Sequence, residues 1–331
     1  MVKIAIAGGS SELAREVLDA LVATQKHDII ALVRKDPSGF PSLPGVKWVQ
    51  TTYEDKSELI RLFEGVHTVL CFIAVHLDPG NENQKRIIDA AIEAGVKRYA
   101  PSEWSTQLAY QSSGVKLESS TDVMPWYTGK VEISHYLESL NKDQNVLEYT
   151  RFQPGSFMNY LGHPHQVSKY ITTLPVQFDF GKLHAIVVEG SLEDQITYTS
   201  VKDITNVVAR AVDHKGVWPA VGGIRGSRVT IAELLRIGEA VRGKPFTVDW
   251  LKMEDLEAGK LKTDNYSRLD LPSIPKDQVE AFSKMATLGI LIATSRGVWT
   301  VSDEWNQLLP DFKFTQVEEF IKNLWGENRD E

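Results

Sequence analysis

Apolar and polar positions follow two different periods along the first half of the chain. Short, continuously apolar runs, typical of strands buried on both faces, alternate with segments whose apolar residues recur at helical spacing. Strands are predicted at residues 2–7, 29–34, 46–50, 68–75, 97–101 and 147–152, and helices after the first strand and at residues 56–63, 82–95 and 127–141. This alternation predicts an α/β fold, a doubly wound parallel Rossmann sheet.

The pattern loosens beyond residue 153. Three segments there carry the capping signal of a helix N-terminus: Ser200-x-x-Asp203, Thr230-x-x-Glu233 and Thr315-x-x-Glu318. We expect a Rossmann domain at residues 1–153 and a smaller C-terminal α/β substrate-binding or lid region at residues 154–331, which can return elements to the sheet. The polar stretch 105–122 is predicted to form a mobile loop at the rim of the site.

The turn after the first strand is the first candidate binding site. It reads Gly8-Gly9-Ser10-Ser11-Glu12-Leu13-Ala14. A strand, a tight turn and a helix start present backbone N–H groups to a pyrophosphate, so residues 8–13 are expected to contact a dinucleotide. Ser11 stands where the fingerprint has a glycine, and the charge of Glu12 slightly opposes anion binding at a helix N-terminus.

The end of the second strand indicates which dinucleotide binds. Arg34 and Lys35 follow that strand, where a site for NAD would carry Asp or Glu and a site for NADP carries Arg for the 2′-phosphate. Asp28 lies at the opposite end of the strand. We therefore expect NADP(H), with Arg34 as the main contact and Lys35 as support.

Composition restricts the partners. The 331 residues carry a net charge of −8, which argues against nucleic acid, since phosphate neutralisation needs a basic face. A single cysteine, Cys71, and the lack of a signal peptide favour a reducing, cytoplasmic location. The apolar runs are too short to span a bilayer, so no membrane partner is expected. Monomer and homodimer both stay open.

Lys130 is the best-defined candidate for a catalytic residue. It shares the apolar stripe of its helix with Ile133 and Leu137, where a lysine is costly unless it is paired or faces a cavity. It would donate a proton or hold the nicotinamide ribose, or else extend to the surface with its stem packed. Trp126 occupies the tyrosine position of a Tyr-x-x-x-Lys pair, which disfavours a phenol as the main donor. Glu103 would pair with Lys130, orient substrate, or merely cap nearby backbone.

Other candidates lie near the carboxyl ends of the strands, where ligands of open α/β sheets bind. The expected further cofactor contacts are Ala74, His76, Ser102, Phe152, Pro154 and Phe157, with Lys130. Aromatic residues in polar segments indicate a wide apolar pocket for an aromatic or polycyclic substrate, with Trp104, Trp126, Tyr127, Phe157 and Tyr160 as its lining. His163 and His165 are not completed by further ligands, so no metal is expected.

Several segments together resemble the NmrA-like / isoflavone reductase-like family of atypical short-chain dehydrogenases, most closely its fungal members. The segment at residues 89–104, DAAIEAGVKRYAPSEW, is the most specific, and the runs around Lys130, residues 149–158 and residues 199–204 agree with it. The resemblance implies an NADPH-bound Rossmann domain with a C-terminal substrate lid, Lys130 as catalytic lysine and Arg34 on the 2′-phosphate. The family that it resembles also includes redox-sensing regulators, which bind the dinucleotide without turnover, and biosynthetic members with altered chemistry.

Three functions follow as hypotheses. The first is an NADPH-dependent reductase of an aromatic or polycyclic secondary metabolite, with Lys130 as proton donor or relay. The second is a non-redox tailoring enzyme, a cyclase or isomerase, that uses Lys130 and Glu103 as acid and base on an alkaloid-like or polyketide intermediate. The third is a redox-sensing regulator that binds a protein partner.

Overall fold

A parallel sheet organises the first half of the chain. The structure is a computed structural model that describes residues 1–106, 120–271 and 274–326, so most of the predicted rim loop lies outside the described residues. The strands of the sheet are β1 Lys3–Ala7, β2 Asp28–Val33, β3 Val46–Gln50, β4 Thr68–Cys71, β5 Arg98–Ala100 and β6 Glu148–Tyr149. Within the described ranges these six form one parallel sheet in the order β3-β2-β1-β4-β5-β6. The predicted doubly wound α/β fold is confirmed.

The helices of this half are α1 Glu12–Ala23, α2 Lys56–Leu62, α3 Glu82–Glu93 and α4 Thr128–Leu140. Since β1 lies between β2 and β4, the strand order reverses direction beside it, which is where open α/β sheets bind ligands. The turn that follows β1 and leads into α1 lies at this reversal. Fold topology therefore puts the glycine turn at the expected site.

Two predicted strands end differently in the structure. The apolar run 68–75 is a strand only as far as Cys71, and its last residue, Val75, begins a 3-10 turn that ends at Leu77. The run 147–152 divides into β6 and β7 (Arg151–Gln153), and β7 pairs with a later strand, residues 221–223, instead of extending the sheet. An apolar run predicts burial, but it does not say which strand will be its hydrogen-bonding partner.

The second half contains small sheets and helices. Its remaining strands are β8 Ser156–Phe157, β9 Phe178–Asp179, β10 His184–Val188, β11 Gln195–Thr199, β12 Val221–Gly223, β13 Ser227–Thr230 and β14 Thr247–Leu251, and its helices are α5 Val201–Asp213, α6 Ile231–Arg242, α7 Met253–Glu257, α8 Val279–Ser295, α9 Glu304–Leu308 and α10 Val317–Trp325. The strands pair in the orders β14-β10-β9, β13-β11-β8 and β12-β7.

Two of the three predicted capping signals are confirmed. The Ser200 hydroxyl accepts the Asp203 N–H at 3.1 Å at the start of α5, and Thr230 and Glu233 form a reciprocal capping box on α6. The third is wrong: α10 begins at Val317 without a side-chain cap. The Thr315 N–H donates instead to the Asp203 carboxylate at 2.8 Å, a tertiary contact that the local sequence does not reveal.

The core joins both halves of the chain. Helix α5, from the second half, packs against α1 on one face of the sheet, and both helices contribute to the same hydrophobic cluster as β1. Helix α5 therefore covers sheet surface that belongs to residues 1–153. The domain boundary at 153 stays a prediction, since the packing is shared across it.

Candidate active site

The turn between β1 and α1 is held in a close approach to β4. Gly8 has a φ of 75°, and a Cβ built on it would lie 2.7 Å from the carbonyl carbon of Phe72, so a side chain does not fit. Ser11 is the N-cap of α1, where its hydroxyl faces the Ala14 N–H at 3.4 Å. The residue that departs from the glycine fingerprint thus caps the helix and leaves the first-turn N–H groups of Glu12 and Leu13 for a ligand.

The charge of Glu12 is engaged by another part of the chain. Its carboxylate accepts the Thr172 N–H at 3.0 Å and the Thr172 hydroxyl at 2.7 Å. Glu16, one turn along α1, accepts the Tyr170 N–H at 2.6 Å. These bonds fasten the loop at residues 170–172 to α1, and they reduce the expected opposition of Glu12 to an anion, because its negative charge is directed to hydrogen-bond donors of the loop.

Tyr53 connects the glycine turn to the end of β2. Its buried hydroxyl accepts the Gly8 N–H at 2.8 Å and donates to the Leu32 carbonyl at 2.8 Å. The guanidinium carbon of Arg34 lies 5.7 Å from the centre of the Tyr53 ring, and Arg34 and Lys35 are both exposed. Two cationic side chains are thereby available at the strand end where a 2′-phosphate is expected.

The remaining predicted cofactor residues differ in how far they are exposed. Ala74 and His76 are exposed beyond β4, and Ser102 is half-buried beyond β5, where its N–H donates to the Gln84 side chain at 2.8 Å. Pro154 is buried. That these residues contact a cofactor stays a prediction.

Phe152 lies in the protein interior. Its ring is completely buried, stacked against Trp104 at 5.2 Å and Trp305 at 5.4 Å between centroids. A ring without exposed surface does not offer a contact to a ligand, so its predicted role at the cofactor is unsupported. The physical reason is the departure of β7 from the main sheet to pair with β12, which places Phe152 in the aromatic core.

Lys130 lies in the first turn of α4, with Ile133 and Leu137 of its stripe buried as predicted. Its amine donates to the backbone carbonyl of Glu103 and lies 4.4 Å from the centre of the Tyr127 ring. Burial lowers the pKa of Lys130 to about 8, although the Glu103 carboxylate acts in the opposite direction. The side chain is partly buried and does not extend freely into solvent.

Glu103 uses its backbone and its side chain separately. The carbonyl accepts from Lys130, while the carboxylate accepts the Gln153 amide at 3.3 Å. Burial raises the pKa of Glu103, and the charge of Lys130 offsets part of that shift. A buried carboxyl with a raised pKa and an amine with a lowered pKa therefore lie near each other, an arrangement that is frequent at functional sites.

A cavity of about 300 Å³ is lined in part by Tyr127, the residue whose ring the Lys130 amine contacts. The five predicted pocket residues all line it: Trp104, Trp126, Tyr127, Phe157 and Tyr160. His76 and Ser105 also line the wall; burial and, less strongly, the nearby charge of Lys130 lower the pKa of His76. Most of the remaining lining is aliphatic or aromatic and comes from α8, from β11 and from loop residues such as Leu174, Val176 and Leu269. That the lining residues of this cavity contact a substrate stays a prediction.

Three residues near the site have no recognisable signal in the sequence. Tyr53 lies in a polar segment without a motif. Gln177 and Trp299, both in the cavity wall, are far in sequence from the strands of the main sheet. Only its position in the folded chain brings each of them to the site.

The two histidines considered for a metal have other contacts. His163 faces the Thr173 carbonyl and His165 contacts the Trp325 ring. Within the described ranges no three potential metal-ligating side chains cluster, and no helix is both long and apolar enough to cross a membrane.

Known proteins of similar sequence identify the family of this chain. The model of the NmrA-like family matches residues 2–321. The chain belongs to the NmrA-like family. Proteins similar to this family member include oxidoreductase BOA1 of Botryotinia fuckeliana, which is 25% identical over 74% of this chain and 77% of its own length. Oxidoreductase swnN of Metarhizium robertsii is 23% identical, and the match covers 98% of both chains.

Plant and bacterial proteins are also similar to this NmrA-like chain. The phenylcoumaran benzylic ether reductase Betv6 of Betula pendula is 25% identical over 97% of this chain and 98% of its own. AtPrR2 with NADP+ and (+)-pinoresinol has a TM-score of 0.68 at 18% identity, with 98% of both chains covered. The Escherichia coli quinone oxidoreductase QOR2 with NADPH has a TM-score of 0.67 at 20% identity, covering 98% of this chain and all of its own. These structures share its fold.

Proposed function

We propose that this chain is an NADPH-dependent reductase of an aromatic or polycyclic secondary metabolite. The observation that carries the proposal is the position of Lys130. Its amine lies against Tyr127, a residue of the apolar cavity wall, and its pKa is lowered to about 8. A proton donor is thus held between the strand ends of a Rossmann sheet and a cavity suited to aromatic rings.

The residues of the glycine turn fit a dinucleotide. The first-turn N–H groups of α1 would hold the pyrophosphate, and Arg34, with Lys35, would bind the 2′-phosphate through a geometry that a guanidinium suits. Solved proteins of the same fold hold NADP+ or NADPH. When bound, NADPH supplies a hydride to the substrate carbon.

Lys130 would supply the proton that completes the reduction. Reduction of a conjugated C=C or C=N bond, or reductive opening of a benzylic ether, would leave negative charge on one substrate atom. The ammonium of Lys130 would give its proton to that atom and recover one from solvent, so that one hydride and one proton would be added in each turnover. The Glu103 carbonyl holds the amine in place for this transfer.

Glu103 favours a second candidate function. Its buried carboxyl, with a raised pKa, lies beside an amine with a lowered pKa. Such a pair would isomerise or cyclise a substrate by moving protons alone, without net oxidation or reduction. The two candidates use the same residues and differ in whether NADPH is consumed.

The first experiment is a calorimetric titration of the purified protein with NADPH and with NADH. We expect NADPH to bind more tightly, because only NADPH carries the 2′-phosphate. Turnover is then measured as loss of NADPH absorbance with a panel of conjugated aromatic ketones, aromatic imines and benzylic ethers. Consumption that requires substrate supports the reductase.

Product formation from one of these compounds at constant NADPH would support the second candidate instead. Failure to bind either nucleotide would overturn the reductase proposal. Lys130→Met tests the catalytic role, and Lys142→Met, an exposed lysine just beyond the same helix, is the matched control.

A further inference from the structure

One segment of the second half connects the start of α1 with the apolar cavity. Residues 169–176 form this segment, the strap. Thr172 of the strap donates its N–H to one carboxylate oxygen of Glu12 at 3.0 Å and its hydroxyl to the other at 2.7 Å. Two positions further along, residues 174–176 line the cavity. The position of this part of the cavity wall is therefore tied to the first turn of α1, the turn whose N–H groups are available to a pyrophosphate.

Other contacts hold the strap on the same helix. The Tyr170 N–H donates to the Glu16 carboxylate at 2.6 Å, and the guanidinium carbon of Arg15 lies 3.8 Å from the centre of the Tyr170 ring. Ile171 is buried in the hydrophobic cluster to which α1 contributes. Three successive strap residues are thus fixed to α1, and the contact of Thr172 is the one at the first residue of the helix.

Glu12 also lies close to the cavity wall on its own account. Burial raises the pKa of Tyr160, a residue of that wall, and the nearby Tyr127 phenol and Glu12 carboxylate add to the shift. The carboxylate of Glu12 is therefore placed at the helix N-terminus, beside the wall and in contact with the strap. A change in its surroundings at one of these places is felt at the others through its charge.

The charge of Glu12 makes the strap sensitive to a bound nucleotide. While the strap is fastened, two donors of Thr172 hold the carboxylate in charge-assisted hydrogen bonds. With the strap released, an unpaired carboxylate would lie beside the pyrophosphate, and like charges repel each other. The nucleotide therefore interacts more favourably with the fastened state, which is the condition under which a ligand shifts a protein between two states.

We propose that Glu12 and Thr172 are positioning residues that couple the two sites. A nucleotide on the glycine turn favours the fastened strap, and the fastened strap completes the wall around the substrate, so substrate binds more tightly once the nucleotide is in place. The inference rests on the proposed function, because it takes the glycine turn as the nucleotide site and the cavity as the substrate site.

Two ligands test the coupling. 2′-Phospho-ADP-ribose carries the pyrophosphate and the 2′-phosphate, and 2-naphthol is the probe for the apolar cavity. Because this nucleotide lacks the nicotinamide ring, a direct stacking of nicotinamide on the probe does not contribute, and the coupling passes through the protein. Calorimetry measures the affinity for 2-naphthol with and without the nucleotide. We expect the nucleotide to tighten 2-naphthol binding about fivefold, within the usual range of coupling between sites.

Variants of the two positioning residues should remove this effect. Thr172→Val deletes the hydroxyl that donates to Glu12, and Glu12→Gln deletes the charge, so in both the ratio of the two affinities should fall toward one. Thr172→Ser retains the hydroxyl and should restore the ratio. Thr24→Val is the matched control, because it removes a hydroxyl that donates to the Leu21 carbonyl at the other end of α1.

Hydrogen exchange of the strap is a second readout. The N–H groups of Tyr170 and Thr172 donate to carboxylates of α1, so their exchange rates report how often the strap is released. 2′-Phospho-ADP-ribose should slow this exchange in the unmodified protein and leave it unchanged in Glu12→Gln. A contact that only stabilised the fold would change the melting temperature and leave the effect of the nucleotide in place.

The inference is overturned if the nucleotide binds but alters neither 2-naphthol affinity nor strap exchange, or if both effects persist in Thr172→Val and Glu12→Gln. The reductase is tested separately by NADPH consumption. Coupling without consumption would refute the reductase and keep the inference, whereas consumption without coupling would refute the inference alone. A protein that bound no nucleotide would refute both.

Discussion

The hydroxyl of Tyr53 accepts the N–H of Gly8 at 2.8 Å, across 45 positions of sequence. The same hydroxyl donates to the Leu32 carbonyl, which also accepts the Gly9 N–H at 2.9 Å. One side chain thus fixes the glycine turn to the end of β2, where Arg34 begins the predicted 2′-phosphate site. Strong desolvation raises the pKa of Tyr53 well above its ordinary range, so the phenol stays neutral and the bond persists at any physiological pH.

Replacing Tyr53 with Phe should destabilise the fold and weaken nucleotide binding. The change leaves the Gly8 N–H without its partner and frees the turn, so we expect a loss of about 1–2 kcal/mol in the free energy of unfolding and a several-fold weaker affinity for NADPH. Urea unfolding and calorimetry measure both. Tyr266→Phe, which removes a largely exposed hydroxyl 3.4 Å from Glu280, is the control. Unchanged NADPH affinity in Tyr53→Phe would contradict a role for this bond in the binding site.

Arg34→Ala should reduce affinity for NADPH and not for NADH. A bidentate guanidinium–phosphate contact is stronger than an ordinary hydrogen bond, so a loss of about tenfold or more is expected for the phosphorylated cofactor alone. Lys35→Ala should have a smaller effect in the same direction. Arg61→Ala removes an exposed arginine of α2 and serves as the charge-matched control. A parallel loss for both nucleotides would show that Arg34 acts on something other than the 2′-phosphate.

Lys130→Met should abolish substrate-dependent oxidation of NADPH. Loss of a positioned general acid lowers the rate by roughly a hundredfold or more, a larger effect than the loss of one ribose contact has on the affinity for NADPH. Single-turnover absorbance with a compound from the reductase panel measures this rate. The control, Lys142→Met, should behave like the unmodified protein. If Lys130→Met retained most of the rate, the proton would have to come from another group, and His76 would be the next residue to replace.

The turnover number should fall as the pH rises through about 8, because the proton donor is the charged form of Lys130 and its pKa is lowered to about 8. Below that value the amine is protonated and active; above it the donor is lost. The Glu103 carboxylate raises the pKa of Lys130, so Glu103→Gln should move the descending limb of the pH profile to lower pH. A limb that stayed in place, or moved upward, would argue that another group controls the profile.

The sequence alone determined those elements that depend only on neighbouring residues. The strands predicted at 2–7 and 46–50, the capping box at Thr230 and Glu233 and the stripe that holds Lys130 all follow from the pattern of residues within one short segment. The same reasoning predicted the parallel sheet, since alternating strands and helices leave few other topologies. It also predicted the five aromatic residues that the structure gathers around one cavity.

Tertiary structure decided everything that depends on a partner distant in sequence. The apolar run ending in Phe152 pairs with β12, so its ring enters the core; Asp203 takes the Thr315 N–H that a local cap would have used; and Glu12 binds Thr172. Gln177 and Trp299 lie 122 positions apart in sequence, and only the fold brings them into the wall of one cavity. A sequence period reports whether a side chain is buried, whereas its hydrogen-bonding partner is chosen by long-range packing, which no short segment encodes alone.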